Sequence, residues 1–420
     1  MSILIKNVLH RGGRTNVYIE DNLIADIGPV VEAEEIIDGR KLALLPGFVN
    51  THTHAAMTLF RGYADDIRLQ EWLKKKIWPL EAKLNPEHVY WGTRLACLEM
   101  IKSGTTCFND MYFFMDTQAK AVLDSGIRAV VSEGFIDFLK SDVGDELLTK
   151  VMKLVRKVQS LNCDRVKPAL GPHAVYTVSK QSLERISEIS EDEDILIHFH
   201  LSETKEEVAN CIKEYGKSPV SFLSEIGFLG PRLIAAHSVW LDEKEIETLA
   251  RADVKISHNP VSNMKLAVGR AIQYPQMKKA GLNISLGTDG CASNNNLDMF
   301  ESMKFAALLQ KFSLNYSTVM PATEAFQLAT LNGAEALGFE SGVVEVGKLA
   351  DLVLLDLTSP SLQPNHDLIS NVVYSANGSC VDTVICNGRI VMREGHVEEE
   401  EKILEGANKA MKNLLEIEVG

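Results

Sequence analysis

Residues 48–54, Phe48-Val49-Asn50-Thr51-His52-Thr53-His54, end the most strand-like segment of the chain on a pair of imidazoles. Alternate residues of a strand point to one side, so His52 and His54 project together while Thr53 faces away. That is chelating geometry. The same spacing recurs by chance in surface or hydrogen-bonded histidine pairs, so its meaning depends on what surrounds it.

Working outward, the stretch is the first of eight short apolar segments: LLPGFVNTHTH (44–54), TTCFNDMY (105–112), IRAVVSEGFI (127–136), VKPALGPHAV (166–175), ILIHFHL (195–201), LIAAHSV (233–239), VKISHNP (254–260) and ISLGTDG (284–290). Between them lie amphipathic helical segments such as PEHVYWGTRLACLEMIKSG and DEKEIETLARAD. This alternation is the pattern of parallel βα units, and eight of them predict a (β/α)8 TIM barrel, an α/β fold whose active site lies at the carboxyl ends of the strands. Both chain ends read differently. ILIKNVLH, NVYIEDNLIADIG and EEIIDGRKLALLPG at one end, and ADLVLLDL and VDTVICNGRIVMREGHV at the other, are short strands with turns, with a hairpin signal at Asn387-Gly388. They predict a small β-sandwich domain assembled from residues 1–46 and 348–420, flanking a barrel over 47–347. The terminal EEEEKILEGANKAMKNLLEIE has helical apolar spacing.

The totals narrow the function. A chain of 420 residues with 43 Lys and Arg against 57 Asp and Glu carries a net charge of −14, which disfavours phosphate-backbone binding and points to a small-molecule substrate rather than nucleic acid. The acidic runs Glu191–Asp194 and Glu398–Glu401 read as solvated faces. Seven scattered cysteines without C-x-x-C spacing argue against a disulfide framework or a cysteine metal site. No segment approaches the roughly 18 apolar residues of a membrane span, and the amino terminus lacks a signal-peptide run. A soluble cytoplasmic protein is expected, and the split β domain and acidic surface are compatible with a homo-oligomer.

Of the 11 histidines, seven (His52, His54, His173, His198, His200, His237, His258) fall at or next to the carboxyl end of an expected strand. In a barrel these ends share one mouth, together with Asp289 of LGTDG and Glu203. Imidazoles with one or two carboxylates there make a divalent-metal site suited to zinc or iron, with a position open for water. On the fifth strand His198 and His200 share a face, and His200, nearer the mouth, is favoured as the ligand, leaving His198 as a supporting or core residue. His258 is read as holding the loop after the seventh strand. His237 reads as a fourth ligand or as a hydrogen-bonding partner of bound water, and Asp289 as able to bind metal through one oxygen and accept a proton on the other. Trp72 and Trp78 read equally as pocket wall or core.

PGFVNTHTH, GPHAVYT, HLSE, AAHSVWL, SHNPVSNMKL and LGTDGCASNN, in this order, resemble the amidohydrolase superfamily, and within it the 5-methylthioadenosine/S-adenosylhomocysteine deaminase family with the similar archaeal 5'-deoxyadenosine deaminases. The resemblance covers nearly the whole chain. It implies metal ligands His52, His54, His200 and Asp289, substrate contacts from Glu81 and His173, and Glu203 at the reacting ring. It also implies one metal ion rather than two, because the strand that carries a bridging lysine in two-metal relatives ends here in GPHAV. Zinc is expected, with iron and manganese as alternatives. The implied chemistry is hydrolytic deamination of an adenosine derivative: Asp289 and His237 orient water and take its proton, and Glu203 protonates the ring nitrogen. One departure bears on substrate. Relatives that hold S-adenosylhomocysteine well grip its carboxylate with arginines near the third strand, whereas VSEGFIDFLKSDVGDELL contains none and places Glu133 after Ser132. Unless Lys140 swings in, small neutral 5' groups are expected to be preferred. Rival readings are deamination of guanine or cytosine, triazine hydrolysis on the same fold, and a metal-free binding protein.

Overall fold

The computed structural model describes every residue except Pro29, Arg68 and residues 417–420, so the last residues of the expected terminal helix lie outside the described residues. Eight parallel strands stand side by side in chain order: β1 (Phe48–Thr53), β2 (Thr105–Tyr112), β3 (Arg128–Phe135), β4 (Val166–Pro172), β5 (Leu196–Leu201), β6 (Leu233–His237), β7 (Lys255–His258) and β8 (Asn283–Leu286). β2 is buried along its whole length, as expected of strands covered on one side by helices and on the other by the barrel interior. The ring closes between β8 and β1 at the mouth, where Asp289 N donates to His52 O at 2.9 Å and Thr288 N to Asn50 Oδ1 at 3.0 Å. The expected (β/α)8 fold is present.

The helices between strands carry their own start signals. Asp242 and Glu245 form a reciprocal capping box at the helix Glu243–Arg251, and Asn85 with His88 does the same for Pro86–Lys102. Their apolar faces and the outer faces of the strands share one large core containing Phe108, Val131, Phe199 and Ile256.

The chain ends build a second sheet of eight strands, drawn from residues 2–46 and 352–392. Its inner face buries Ile3, Val17, Ile19, Leu352, Leu354 and Ile385 in a separate core. The run read from sequence as one segment, 44–54, is divided between the two sheets: Leu42–Pro46 pairs with Leu352–Asp356, and β1 begins after Gly47. Both halves are fully buried, so hydropathy carries no mark of the switch. A buried ion pair ties the two units, Arg128 Nε donating to Asp351 Oδ2 at 2.6 Å while Asn387 N donates to the other oxygen at 2.7 Å. The helix Glu400–Glu416 packs on the barrel, not on this sheet: Ala407, Ala410 and Leu414 lie against Leu59, Phe60 and Val89.

Candidate active site

Parallel register sets the positions of the mouth residues. His200 pairs with Ala236 and Leu201 with His237 across β5 and β6, which brings the His200 and His237 rings to 5.5 Å between centroids. The hydrogen bonds then fix which nitrogen of each ring faces inward. His54 Nδ1 lies 2.6 Å from Met111 O, and His200 Nδ1 lies 2.9 Å from His173 O. A carbonyl can only accept, so both Nδ1 atoms carry the proton and both Nε2 atoms present lone pairs. Those two Nε2 atoms stand 3.3 Å apart with no hydrogen to share. His52 Nδ1 sits 2.6 Å from His198 Nε2, and His52 Nε2 is buried without a partner. Asp289 Oδ1 lies 3.4 Å from Nε2 of both His52 and His54. Inward-facing lone pairs around a carboxylate oxygen repel one another unless a cation stands among them, and the donor atoms of His52, His54 and His200 lie within 4.8 Å of one another. The donor set suits one divalent ion.

The remaining polar groups hold this arrangement. Asp289 Oδ2 accepts from Ser262 Oγ at 2.6 Å and Oδ1 from Gly290 N at 2.8 Å. Burial raises the Asp289 carboxyl, but a hydrogen bond to His52 and the positive charge that His52, His54 and His237 carry when protonated more than offset this and hold it well below the usual range. His237 Nδ1 donates to Asn263 Oδ1 at 2.9 Å. Burial lowers its imidazole, yet Glu203 and Asp289 outweigh that and raise it overall. His237 and Asp289 both occupy the left-handed region, with φ of 68° and 65°, a conformation that persists at side-chain-bearing residues only where the surroundings impose it. Gly287 allows the approach to β1: a Cβ there would stand 2.8 Å from the His52 Cβ and 2.4 Å from Asn259 Oδ1.

Glu203 lines the same cleft, its Oε1 4.0 Å from His237 Nδ1. Burial lifts its carboxyl above the usual range, opposed by His237 and reinforced by Asp289. Glu81 and His173 line the cleft as well. Glu81 ends the short helix Trp78–Glu81 in the long connection after β1, and burial pushes its carboxyl up to about 7. His173 Nδ1 lies 2.9 Å from Thr177 Oγ1, and burial lowers its ring to about 3. The four residues implied as metal ligands therefore meet Glu81, His173, Glu203 and His237 at one mouth, with His52 on its floor. Trp72 and Trp78 both line the cleft. His258 is fully buried, and neither ring nitrogen has a hydrogen-bond partner. What it gives the next loop is its carbonyl, which accepts from Gly287 N at 2.9 Å.

Several groups in the site were not singled out from sequence. Ser262 and Asn263 hold Asp289 and His237 from the helix Pro260–Lys265, and its cap residue Asn259 lies beside the His237 ring; the i, i+3, i+4 spacing of the three within SHNPVSNMKL was the available signal. Tyr112 brings a buried hydroxyl to the cleft beside the Glu81 carboxyl. A chamber of about 510 Å³ continues the cleft past Trp78, Glu81 and Gly134, walled by Leu84, Phe113, Val151 and Leu154. Glu133 sits in its wall with both oxygens engaged, accepting from Phe114 N at 3.2 Å and Met115 N at 2.7 Å, and burial pushes its carboxyl up to about 7. The lysine on this wall is Lys150, 2.8 Å from Glu146; Lys140 begins the same helix and is not part of the lining.

A (β/α)8 barrel whose mouth gathers imidazole lone pairs, a carboxylate and a separate buried glutamate is the frame of a metal-assisted hydrolase. The sequence profile of the Amidohydrolase family matches residues 43–391. The chain is 54% identical over 420 residues to 5-methylthioadenosine/S-adenosylhomocysteine deaminase 1 of Archaeoglobus fulgidus, covering 98% of this chain and 99% of that one. It is 52% identical over 404 residues to 5'-deoxyadenosine deaminase of Methanospirillum hungatei, covering 95% and 90%. Among solved structures, an adenosine deaminase from Xanthomonas campestris with bound zinc superposes with a TM-score of 0.93 at 35% identity, covering 98% of both chains. The chain belongs to the amidohydrolase family.

Proposed function

We propose that the protein is a hydrolase that deaminates adenosine derivatives, replacing the 6-amino group of the purine by oxygen and releasing ammonia. The observation that carries this reading is the single cleft in which the facing Nε2 atoms of His54 and His200, the Asp289 carboxylate, Glu203 and Glu81 converge; the names of its relatives give the substrate class. His52, His54, His200 and Asp289 would hold one divalent ion, zinc in first place with iron or manganese as alternatives. When bound, such an ion supplies Lewis-acid activation of water at neutral pH.

The chain's own residues do the rest. Asp289 and His237 orient the attacking water and take its proton, His237 being aimed by its hydrogen bond to Asn263. Glu203, kept protonated more readily than an exposed carboxyl by its burial, donates to the ring nitrogen beside the carbon under attack and then carries a proton toward departing ammonia. His237 also faces the oxygen that gains charge as the ring loses aromaticity. Glu81 accepts from ribose hydroxyls, with His173 opposite. The apolar chamber beyond Gly134 receives the 5' end. Its lining favours small neutral groups, as in 5'-deoxyadenosine or 5'-methylthioadenosine, over the charged tail of S-adenosylhomocysteine.

The seven cysteines are all free thiols, six of them buried, which suits a reducing compartment, and we place the protein in the cytoplasm. No helix among the described residues is long and apolar enough to cross a membrane. The helix Met299–Leu314 exposes Phe305, Leu308 and Phe312, with Tyr316 just beyond. Such a patch supports self-association into a homo-oligomer, which light scattering of the eluting protein checks directly.

The test is ammonia release by metal-loaded protein from 5'-deoxyadenosine, 5'-methylthioadenosine, adenosine and S-adenosylhomocysteine, with guanine and cytosine alongside. Turnover of the nucleosides with S-adenosylhomocysteine trailing is the expected result. Turnover of a free base alone would overturn the reading.

A further inference from the structure

Glu203 rides on a turn that a second carboxyl group, outside the cleft lining, holds in place. The helix Lys205–Tyr215 starts with Thr204 as its cap, Glu207 N donating to Thr204 Oγ1 at 3.1 Å. In an ordinary capping box the acid three residues into the motif returns its side chain to the backbone N–H of the cap residue itself. Glu207 reaches further back. Its Oε2 accepts from Glu203 N at 2.7 Å and its Oε1 from Ser202 N at 2.8 Å. Between β5 and these bonds the chain makes a left-handed step at Ser202, with φ of 47°, which a residue with a Cβ adopts at a cost of order 1–3 kcal/mol unless its surroundings impose it. The far side of the turn is fixed as well, Ser202 O accepting from Trp240 N at 2.8 Å and Val239 N at 3.1 Å. Glu207 itself is buried, 5% exposed.

We infer that Glu207 is a positioning residue for the deamination: its two oxygens impose the turn at Ser202 and so aim the Glu203 carboxyl at the purine ring. The inference rests on the reading of Glu203 as the proton carrier. The residue type follows from the geometry. Two converging N–H donors require two acceptors, which a carboxylate offers and an amide does not, because the NH₂ group of glutamine would face an N–H. Burial and the neighbouring Glu203 push the Glu207 carboxyl up to about 7, and the two N–H donors oppose this by favouring its ionised form, in which both short bonds are charge-assisted.

The experiment compares kcat and KM for 5'-deoxyadenosine, together with bound zinc per chain, in wild type, Glu207→Gln, Glu207→Asp, Glu203→Gln and the double variant Glu203→Gln/Glu207→Gln. Glu207→Gln is expected to lose about 10- to 100-fold in kcat, the scale of misplacing a reacting group by about an ångström, with KM within about threefold of wild type and zinc content unchanged. Glu207→Asp, which keeps the charge but is one methylene short, falls between, and it serves in place of Glu207→Gln if that variant does not fold. The double variant is no slower than Glu203→Gln, since there is nothing left to aim. Wild-type kcat in both Glu207 variants, or losses that multiply in the double variant, overturns the positioning role alone. Wild-type kcat in Glu203→Gln overturns the reading of Glu203 on which the inference depends.

Discussion

At the floor of the cleft each inward-facing group is held by a partner from another part of the barrel: His54 by the carbonyl of Met111, His200 by that of His173, His52 by His198, Asp289 by Ser262. At the far end, past Gly134, the walls come from a short helix, a loop and the helix Ser141–Gln159, and Phe138 on that rim is 67% exposed. The floor is set by strand register and the far end by connections. A barrel can thus keep its chemistry while the connections set its choice of substrate. Substitutions should divide the same way, with large losses common to all substrates at the floor and small, substrate-dependent changes at the far end.

The largest effect is expected at the floor itself. His200→Ala removes one of the two facing Nε2 lone pairs, and activity on every nucleoside should fall by roughly three orders of magnitude or more as the Lewis acid is lost. Elemental analysis of the purified variant should show bound metal well below that of wild type. Chelator-treated wild type should lose activity in parallel and regain it with zinc. A fully active His200→Ala protein would break the comparison. Next comes Glu203→Gln, expected to lower kcat by about 10²- to 10⁴-fold with metal content intact, which separates the proton carrier from the metal ligands.

These two substitutions fall on residues visible in the sequence, for a physical reason. A strand's two-residue period assigns each side chain to a face, and barrel topology sends all strand ends to one mouth, so His52, His54, His200, His237 and Asp289 could be brought together without coordinates. Where the outcome depended on what a buried segment packs against, the sequence was mute. The terminal helix showed an apolar face but not that its partner is the barrel. His258 showed a strand-end position but not that its ring would lie unpartnered. Glu207 looked like any acid in the first turn of a helix, and only the fold shows its oxygens reaching back to Ser202 and Glu203. The apolar chamber past Gly134 draws on residues from Trp78 to Leu154 with no shared period, so no pattern could announce it.

A middle-sized effect tests the support beneath the floor. His198 meets His52 from behind, at 2.6 Å, and lies outside the cleft lining. His198→Ala leaves His52 free to rotate or to change tautomer, and affinity for zinc should drop about 10- to 100-fold. Titration against a competing chelator measures this directly, and excess zinc should restore most of the turnover. Unchanged affinity would mean that packing alone orients His52.

The smallest expected effect lies at the far end and distinguishes two accounts of its selectivity. Lys150 is the cation in the chamber wall, but it is largely exposed and shares its charge with Glu146. A pair of that kind contributes at most about 1 kcal/mol, so Lys150→Ala should raise KM for S-adenosylhomocysteine by no more than about fivefold and leave 5'-deoxyadenosine unchanged. If both substrates respond equally, the chamber is shaped by packing rather than charge. If S-adenosylhomocysteine is lost altogether, Lys150 holds its charged tail, and the preference for neutral 5' groups is weaker than the apolar walls suggest. The measurement is a ratio of kcat/KM values on one protein preparation, which cancels differences in metal loading and makes so small an effect readable.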